Sequence, residues 1–142
     1  MAKFNSKDSV FQITDTGATL RDISAYIDEV DGIPGERELN EVTALGDTGR
    51  KHIGGLENVV ITLRGHFDNT ATTGPDAILG PLRTDDTARA WDYGPKGKAS
   101  GDFKYSGNMK MRNYVVSSRV GEIVAWRAEL LVQGAVTRGT YA

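Results

Sequence analysis

Few residues in this chain have the type and spacing that reaction chemistry needs. The two histidines are His52, which follows Asp47, and His66, which precedes Asp68. A His–carboxylate pair acts as a general base only when it faces a nucleophile. No serine sits in a Gly-x-Ser-x-Gly elbow, and the histidines are not at metal-ligand spacing. The chain has no cysteine, so thiolate nucleophiles, thiolate zinc sites and disulfides are excluded together. The run from Gly46 to Lys51 sets glycines ahead of a basic residue, as phosphate loops do. Its spacing fails, because Lys51 is preceded by Arg50 rather than Gly and followed by His52 rather than Ser or Thr. Asp28, Glu29 and Asp31 offer carboxylate oxygens to a divalent cation, although such a run is more often a solvated face. Lys104, Lys110, Arg112 and Arg119 alternate with Tyr105 and Tyr114 in the manner of a nucleic-acid face. Asp102 dilutes that pattern, and the outer polar face of a sheet accounts for it better. The expectation is therefore no enzyme, no cofactor and no resident metal.

The chain has 142 residues, which suits a single domain that buries about two thirds of its unfolded surface. Charged residues make up 25% and hydrophobic residues 39%, the composition of an ordinary folded protein. No apolar run approaches a membrane span, and the first residues lack the apolar core of a signal peptide, so synthesis in a cytoplasm is expected, with no membrane partner. A net charge of −2 argues against a dedicated nucleic-acid binder. The charge is polarised along the chain: residues 1–47 carry ten acidic against four basic side chains, a balance of −6, and residues 48–142 carry nine against thirteen, a balance of +4. Two unlike surfaces meeting between copies would use that asymmetry, and two solvated faces would equally produce it.

The elements are mostly strands. Residues 1–9 read as a polar N-terminal arm, 10–14 as a short strand and 21–24 as a turn leading to a strand over 25–30, with a helical reading of 20–30 as the competitor. A strand is expected over 38–44, then a loop over 45–55 with four glycines, shaped by positive φ or close approach. Residues 57–67 form the clearest alternating strand, with Val59, Ile61 and Leu63 on one side. Pro75 opens a short helix over 75–82. After a short strand near 88–93 and a flexible loop over 94–101, two long antiparallel strands over 102–119 and 122–136 close the chain. Val124, Trp126, Ala128, Leu130 and Val132 make the strongest core face, and 137–142 reads as a C-terminal arm.

Three segments together resemble a known family. Asp22, Ile23, Ser24 and Tyr26 form the first; Val42, Thr43, Leu45, Gly46 and Asp47 the second, followed by Arg50, Lys51, Gly55 and Leu56; and Gly65, Phe67 and Asp68 close the third. This succession resembles the tail tube (major tail) proteins of long-tailed, non-contractile bacteriophages. The resemblance implies a mainly β fold, a β-sandwich or barrel with one short α-helix, long loop and terminal arms, and sheets that join between subunits into a ring. It implies a structural virion protein whose hexameric rings stack into a tube that delivers DNA. The implied partners are other copies of the chain, tape measure and tail-end proteins, and DNA that passes without specific binding.

Within that resemblance, residues 31–55 are expected to reach the adjacent ring through Leu45, Asp47, Arg50 and Lys51. Val59, Ile61, Leu63, Val124, Trp126 and Leu130 are expected on the tube-wall strands. Roughly twenty-four strands at about 4.8 Å and about 40° tilt close a barrel about 50 Å across, wide enough for a duplex. A lumen that does not hold DNA is neutral or acidic, so Lys110 and Arg112 must face away or be paired. The alternatives are a monomeric connector or binding module of a phage-like particle, and an inner-tube subunit of a contractile injection machine.

Overall fold

Alternating apolar residues commit most of this chain to strands, and the strands bury their apolar sides on one another. The computed structural model describes residues 3–142. In chain order the elements are β1 (Val10–Thr14), β2 (Leu20–Asp22), β3 (Ile27–Asp31), β4 (Glu36–Glu41), β5 (His52–Asn58), β6 (Val60–His66), α1 (Pro75–Leu82), β7 (Arg89–Gly94), β8 (Phe103–Ser117) and β9 (Ala125–Thr140). Seven strands share one antiparallel sheet in the order β2-β1-β7-β8-β9-β6-β3, and β4 pairs only with β5.

The long strands β8 and β9 let this sheet fold over on itself. Their register slips near Ser106 and again near Met111, and such bulges bend a strand and increase its twist. The first half of β8 pairs with β7, whereas residues 110–117 pair only with β9. Two layers result. One holds β2, β1, β7, the first half of β8 and the last half of β9. The other holds the second half of β8, the first half of β9, β6 and β3. Between them lie Phe11 and Ile13 of β1, Trp91 of β7, Met109 and Met111 of β8, Ile61 and Leu63 of β6, and Trp126, Ala128 and Leu130 of β9, all buried in one cluster. Helix α1 adds Ile78, Leu79 and Leu82 and starts with Pro75, where the missing N–H costs nothing.

The sequence-based boundaries need four corrections. Residues 24–26 form a 3-10 turn, so the strand expected from residue 25 begins at Ile27, and β2 occupies part of the expected turn. The strand expected over 57–67 divides at Val59: residues 57 and 58 belong to β5, and β6 begins at Val60. Four residues of the expected C-terminal arm, 137–140, extend β9 and pair with Phe103, Lys104, Tyr105 and Ser106. In the expected N-terminal arm, Met1 and Ala2 lie outside the described residues. The rest is anchored: Ser9 Oγ donates to the Pro95 carbonyl at 2.7 Å, and Phe4 packs on Phe103 with ring centroids 6.2 Å apart.

The end of the chain locks down the first layer. The backbone of Tyr141 exchanges hydrogen bonds with Gly101 and Asp102, and its hydroxyl donates to Asp92 at 2.7 Å. The Gln12 amide, with its NH2 turned toward Asp92, donates to the same carboxylate at 3.0 and 3.1 Å. Burial pushes the Asp92 carboxyl above the usual carboxylate range, with the Tyr141 hydroxyl and Lys104 opposing. A carboxyl whose folded pKa is raised stabilises the fold fully below its unfolded value of about 3.9, and that contribution is lost as pH rises through the folded pKa. Asp92→Asn removes this dependence. Melting temperatures measured from pH 4 upward are expected to show the variant gaining on the wild type as pH rises. A constant difference across that range would contradict the assignment.

Candidate functional site: a projecting hairpin and two free sheet edges

The β4–β5 hairpin stands off the two-layered body. Its strands are exposed along their whole length, which an isolated hairpin tolerates poorly in water. The chain enters it through Gly32 and Gly35 and leaves at Val59, whose carbonyl still accepts from Val132 N at 3.1 Å. Val136 N donates to Glu57 at 3.0 Å, tying the base of the hairpin to β9. The glycine-rich segment expected as a loop over 45–55 is only partly loop. Gly54 and Gly55 lie in β5, where the side chains of Arg37, Glu38 and Asn40 cover the space their missing side chains leave.

The tip, residues 42–51, is held by its own hydrogen bonds. Val42 N donates to the Lys51 carbonyl at 2.8 Å, and Lys51 N donates to Thr43 Oγ1 at 2.9 Å. Asp47 accepts from Ala44 N at 2.7 Å and pairs with Lys51 at 3.1 Å. The Ala44 amide, followed by Lys51, holds the Asp47 carboxyl below the usual carboxylate range. Gly46 at φ +94° turns the chain. Of the four residues expected to contact the next ring, Asp47 and Lys51 thus shape the tip and Arg50 faces Glu41 at 3.6 Å. Leu45 is left fully exposed at the apex. Leu39, Ile53 and Leu56 add exposed apolar surface to the hairpin.

Five of the six residues expected on the wall strands are core residues, and Val59 lies in the break between β5 and β6 rather than on a strand. Val59, Ile61, Leu63, Trp126 and Leu130 are buried, while Val124 is half-buried one position before β9 and accepts from Phe67 N at 2.8 Å. Among the described residues, the second layer they support has two unpaired edges: β3 bonds only to β6, and residues 110–117 of β8 bond only to β9. Registry places Lys110, Glu129, Arg127, Thr62, Arg64, Glu29 and Asp31 on the face turned away from the core. Ion pairs lace that face, but Lys110, expected to face away or be paired, lies on it with no ion-pair partner among the described residues. Arg112 bonds to Glu129, Arg64 to Glu29 at 3.2 Å, and His66 lies 3.6 Å from Asp28. The Asn113 amide, then Arg112, keeps the Glu129 carboxyl below its usual range.

These contacts settle where the candidate chemical groups lie. His66 faces Asp28 rather than Asp68, and His52 sits opposite Glu41 in the hairpin rather than beside Asp47. Asp28, Glu29 and Asp31 disperse to His66, Arg64 and the Gly32 amide. Among the described residues no three His, Asp or Glu side chains gather as a metal site, and no helix is long and apolar enough to cross a membrane. What sequence reasoning missed is the charge of the free edges. β3 carries only acidic charge, and residues 110–117 of β8 only basic.

No protein-family model and no curated protein sequence matches the chain. Solved structures do match over nearly its whole length. The tail of an empty gene transfer agent particle, refined with C6 symmetry, superposes with a TM-score of 0.78 at 16% identity, covering 97% of this chain and 100% of the other. The SPP1 tail tube gives 0.75 at 14% identity, over 97% and 80%. The sheath-tube complex of PVC, an extracellular contractile injection system, gives 0.69 at 12%, over 97% and 92%. By these superpositions, this chain has the fold of the tail tube proteins.

Proposed function

We propose that this chain is a structural virion protein, a tail tube subunit that closes into six-membered rings whose stacks conduct DNA out of a phage-like particle. The observation that carries this reading is the second layer, four strands between two unpaired edges. Free edges template aggregation in a monomer, and closure into a barrel abolishes them. An even number of strands places β8 of the next copy antiparallel to β3, so one repeated contact gives a continuous antiparallel barrel. The edges also match in charge. Asp28, Glu29 and Asp31 on β3 meet Lys110 and Arg112 on β8, and opposite charges across strands stabilise pairing. The six-fold symmetry of the gene transfer agent tail supports six copies.

The outward face of the layer suits a bore. Arg64, Lys110, Arg112 and Arg127 are balanced by Asp28, Glu29, Asp31 and Glu129, and Arg112 is engaged by Glu129. A balanced face releases few counterions to a passing duplex and so does not retain it. This role has no catalytic step, and its further partners are the tape measure and tail-end proteins. The similarity to the PVC sheath-tube complex supports a second reading, an inner tube inside a contractile sheath. Sheathed particles containing the chain would establish that reading, and bare tubes the first.

Ring stacking falls to the hairpin tip, where Leu45 is exposed. Replacing residues 43–50 by Asn-Gly keeps both strands and removes only contacts within the tip and those of Thr43 and Arg50 to Glu41 at the exposed end of β4. Electron microscopy of the purified wild type is expected to show rings or tubes. The shortened variant is expected to melt within a few degrees of wild type and form no tubes. Normal tubes from the variant would remove the tip from the mechanism, and a wild type that stays monomeric would overturn the assembly reading itself.

A further inference from the structure

We infer that the groove beside β3 is the seat for helix α1 of the neighbouring copy, a second lateral contact alongside the joined strands. It rests on the assembly reading above. The two ends of the sandwich differ. At the β8 edge the space between the layers is filled: α1 lies on the core face of β8, with the Tyr114 hydroxyl donating to Asp76 at 3.0 Å and Ile78, Leu79 and Leu82 in the core. At the β3 edge it is open. A groove of about 570 Å³ runs there, lined by apolar Val10, Phe11, Ile27 and Val30 and, in about equal measure, by polar side chains that include Lys7, Asp28 and Glu29.

Two features commit this groove to a second copy. The first is continuity. A sheet that joins β3 to the next copy's β8 keeps its faces, so the outward face of one copy continues into the outward face of the next and the core face into the core face. The element on the core face of the incoming β8 is α1, and the feature on the core face of β3 is the groove. The second is charge complementarity along the same seam, with the acidic β3 edge against the basic β8 edge. The exposed residues of α1, Ala77 and Pro81, carry no charge, so the helix adds no ion to a groove whose wall already holds Lys7, Asp28 and Glu29. Contact between two unlike patches of one chain is heterologous, and it closes into a ring when the rotation fits.

The cysteine-free chain makes a direct test possible. Ala25 lines the groove and is exposed, as is Ala77 on α1. Ala25→Cys and Ala77→Cys are made singly and together, assembled, and treated with a monofunctional maleimide or a short bis-maleimide. Both cysteines are expected to react freely in dissociated protein and to lose reactivity in tubes. The double variant alone is expected to give a ladder of covalent oligomers ending at the hexamer. If tubes form while both cysteines stay as reactive as in dissociated protein, or are protected without any ladder, the groove is not the seat of α1. If the cysteine-free parent forms no rings or tubes, the assembly reading fails, and this inference with it.

Discussion

Trp126→Ala is expected to lower the unfolding free energy by about 3–5 kcal/mol, the usual cost of truncating a buried tryptophan. Trp126 lies where the second layer meets the helix. It is 2% exposed, pairs in register with Gly65 on β6 and with Val116 on β8, and packs on Tyr114 with ring centroids 6.2 Å apart. Its indole Nε1 donates to the His66 carbonyl at 3.1 Å. Alanine opens a cavity and also removes a donor from that carbonyl. Phenylalanine fills most of the volume and forfeits only the hydrogen bond, so Trp126→Phe is expected to cost about 1–2 kcal/mol beyond its small loss of area. Urea denaturation of both variants separates the two contributions. A domain of this kind is stable by only about 5–15 kcal/mol, so the alanine variant loses a large share of the total. Equal costs for the two variants would mean that packing contributes little and the hydrogen bond dominates.

The residues that were most legible in the sequence are structural. Pro75 and the apolar spacing after it fixed the span of α1, and the unbroken alternation from Trp126 to Leu130 identified the buried face of β9. The segment from Asp22 to Tyr26 is a brace between layers. Asp22 accepts from Ser24 N at 3.0 Å, Ser24 Oγ accepts from Phe11 N at 2.9 Å, and Ile23 is fully buried. Three features were not legible, each because long-range pairing overrides local preference. Gly54 and Gly55 are poor strand residues, yet β4 holds them in β5. Residues 137–140 lack apolar alternation, and their strand is set by β8 opposite and by the Tyr141 lock beyond. The break at Val59 lies inside an unbroken alternating run and is seen only once the hairpin leaves the sheet. The free edges were invisible for a related reason: an edge is defined by a missing partner, which sequence periodicity does not record. The hairpin tip was legible as a glycine-rich loop, but the exposure of Leu45 at its apex and its internal support by Asp47 and Lys51 appear only in three dimensions.

Gly65→Ala is expected to be at least as damaging per atom added as any substitution in the chain, although its backbone needs no special conformation. A Cβ placed at Gly65 would lie 1.9 Å from the Tyr26 carbonyl oxygen and 3.0 Å from two atoms of the Trp126 ring. The carbonyl has little freedom to retreat. Tyr26 N is bonded to the Ile23 carbonyl at 3.0 Å, and the next residue, Ile27, pairs with Gly65 itself. Relief therefore requires β3 to move away from β6. Overpacking a well-filled site usually costs about 1–3 kcal/mol, and with backbone rather than a side chain in the way, the upper end, about 3 kcal/mol, is expected here. Gly46→Ala is the control. Among the described residues nothing lies within 4 Å of the added atom, but φ is +94°, so about 1 kcal/mol of conformational cost is expected. Because β3 is the proposed ring edge, the two variants also separate stability from assembly. Gly65→Ala displaces that edge, so it is expected to suppress rings even at temperatures where the monomer remains folded by circular dichroism. A tip that keeps its shape would leave ring closure intact in Gly46→Ala. Rings formed by folded Gly65→Ala at wild-type concentrations would show that β3 does not form the seam between copies.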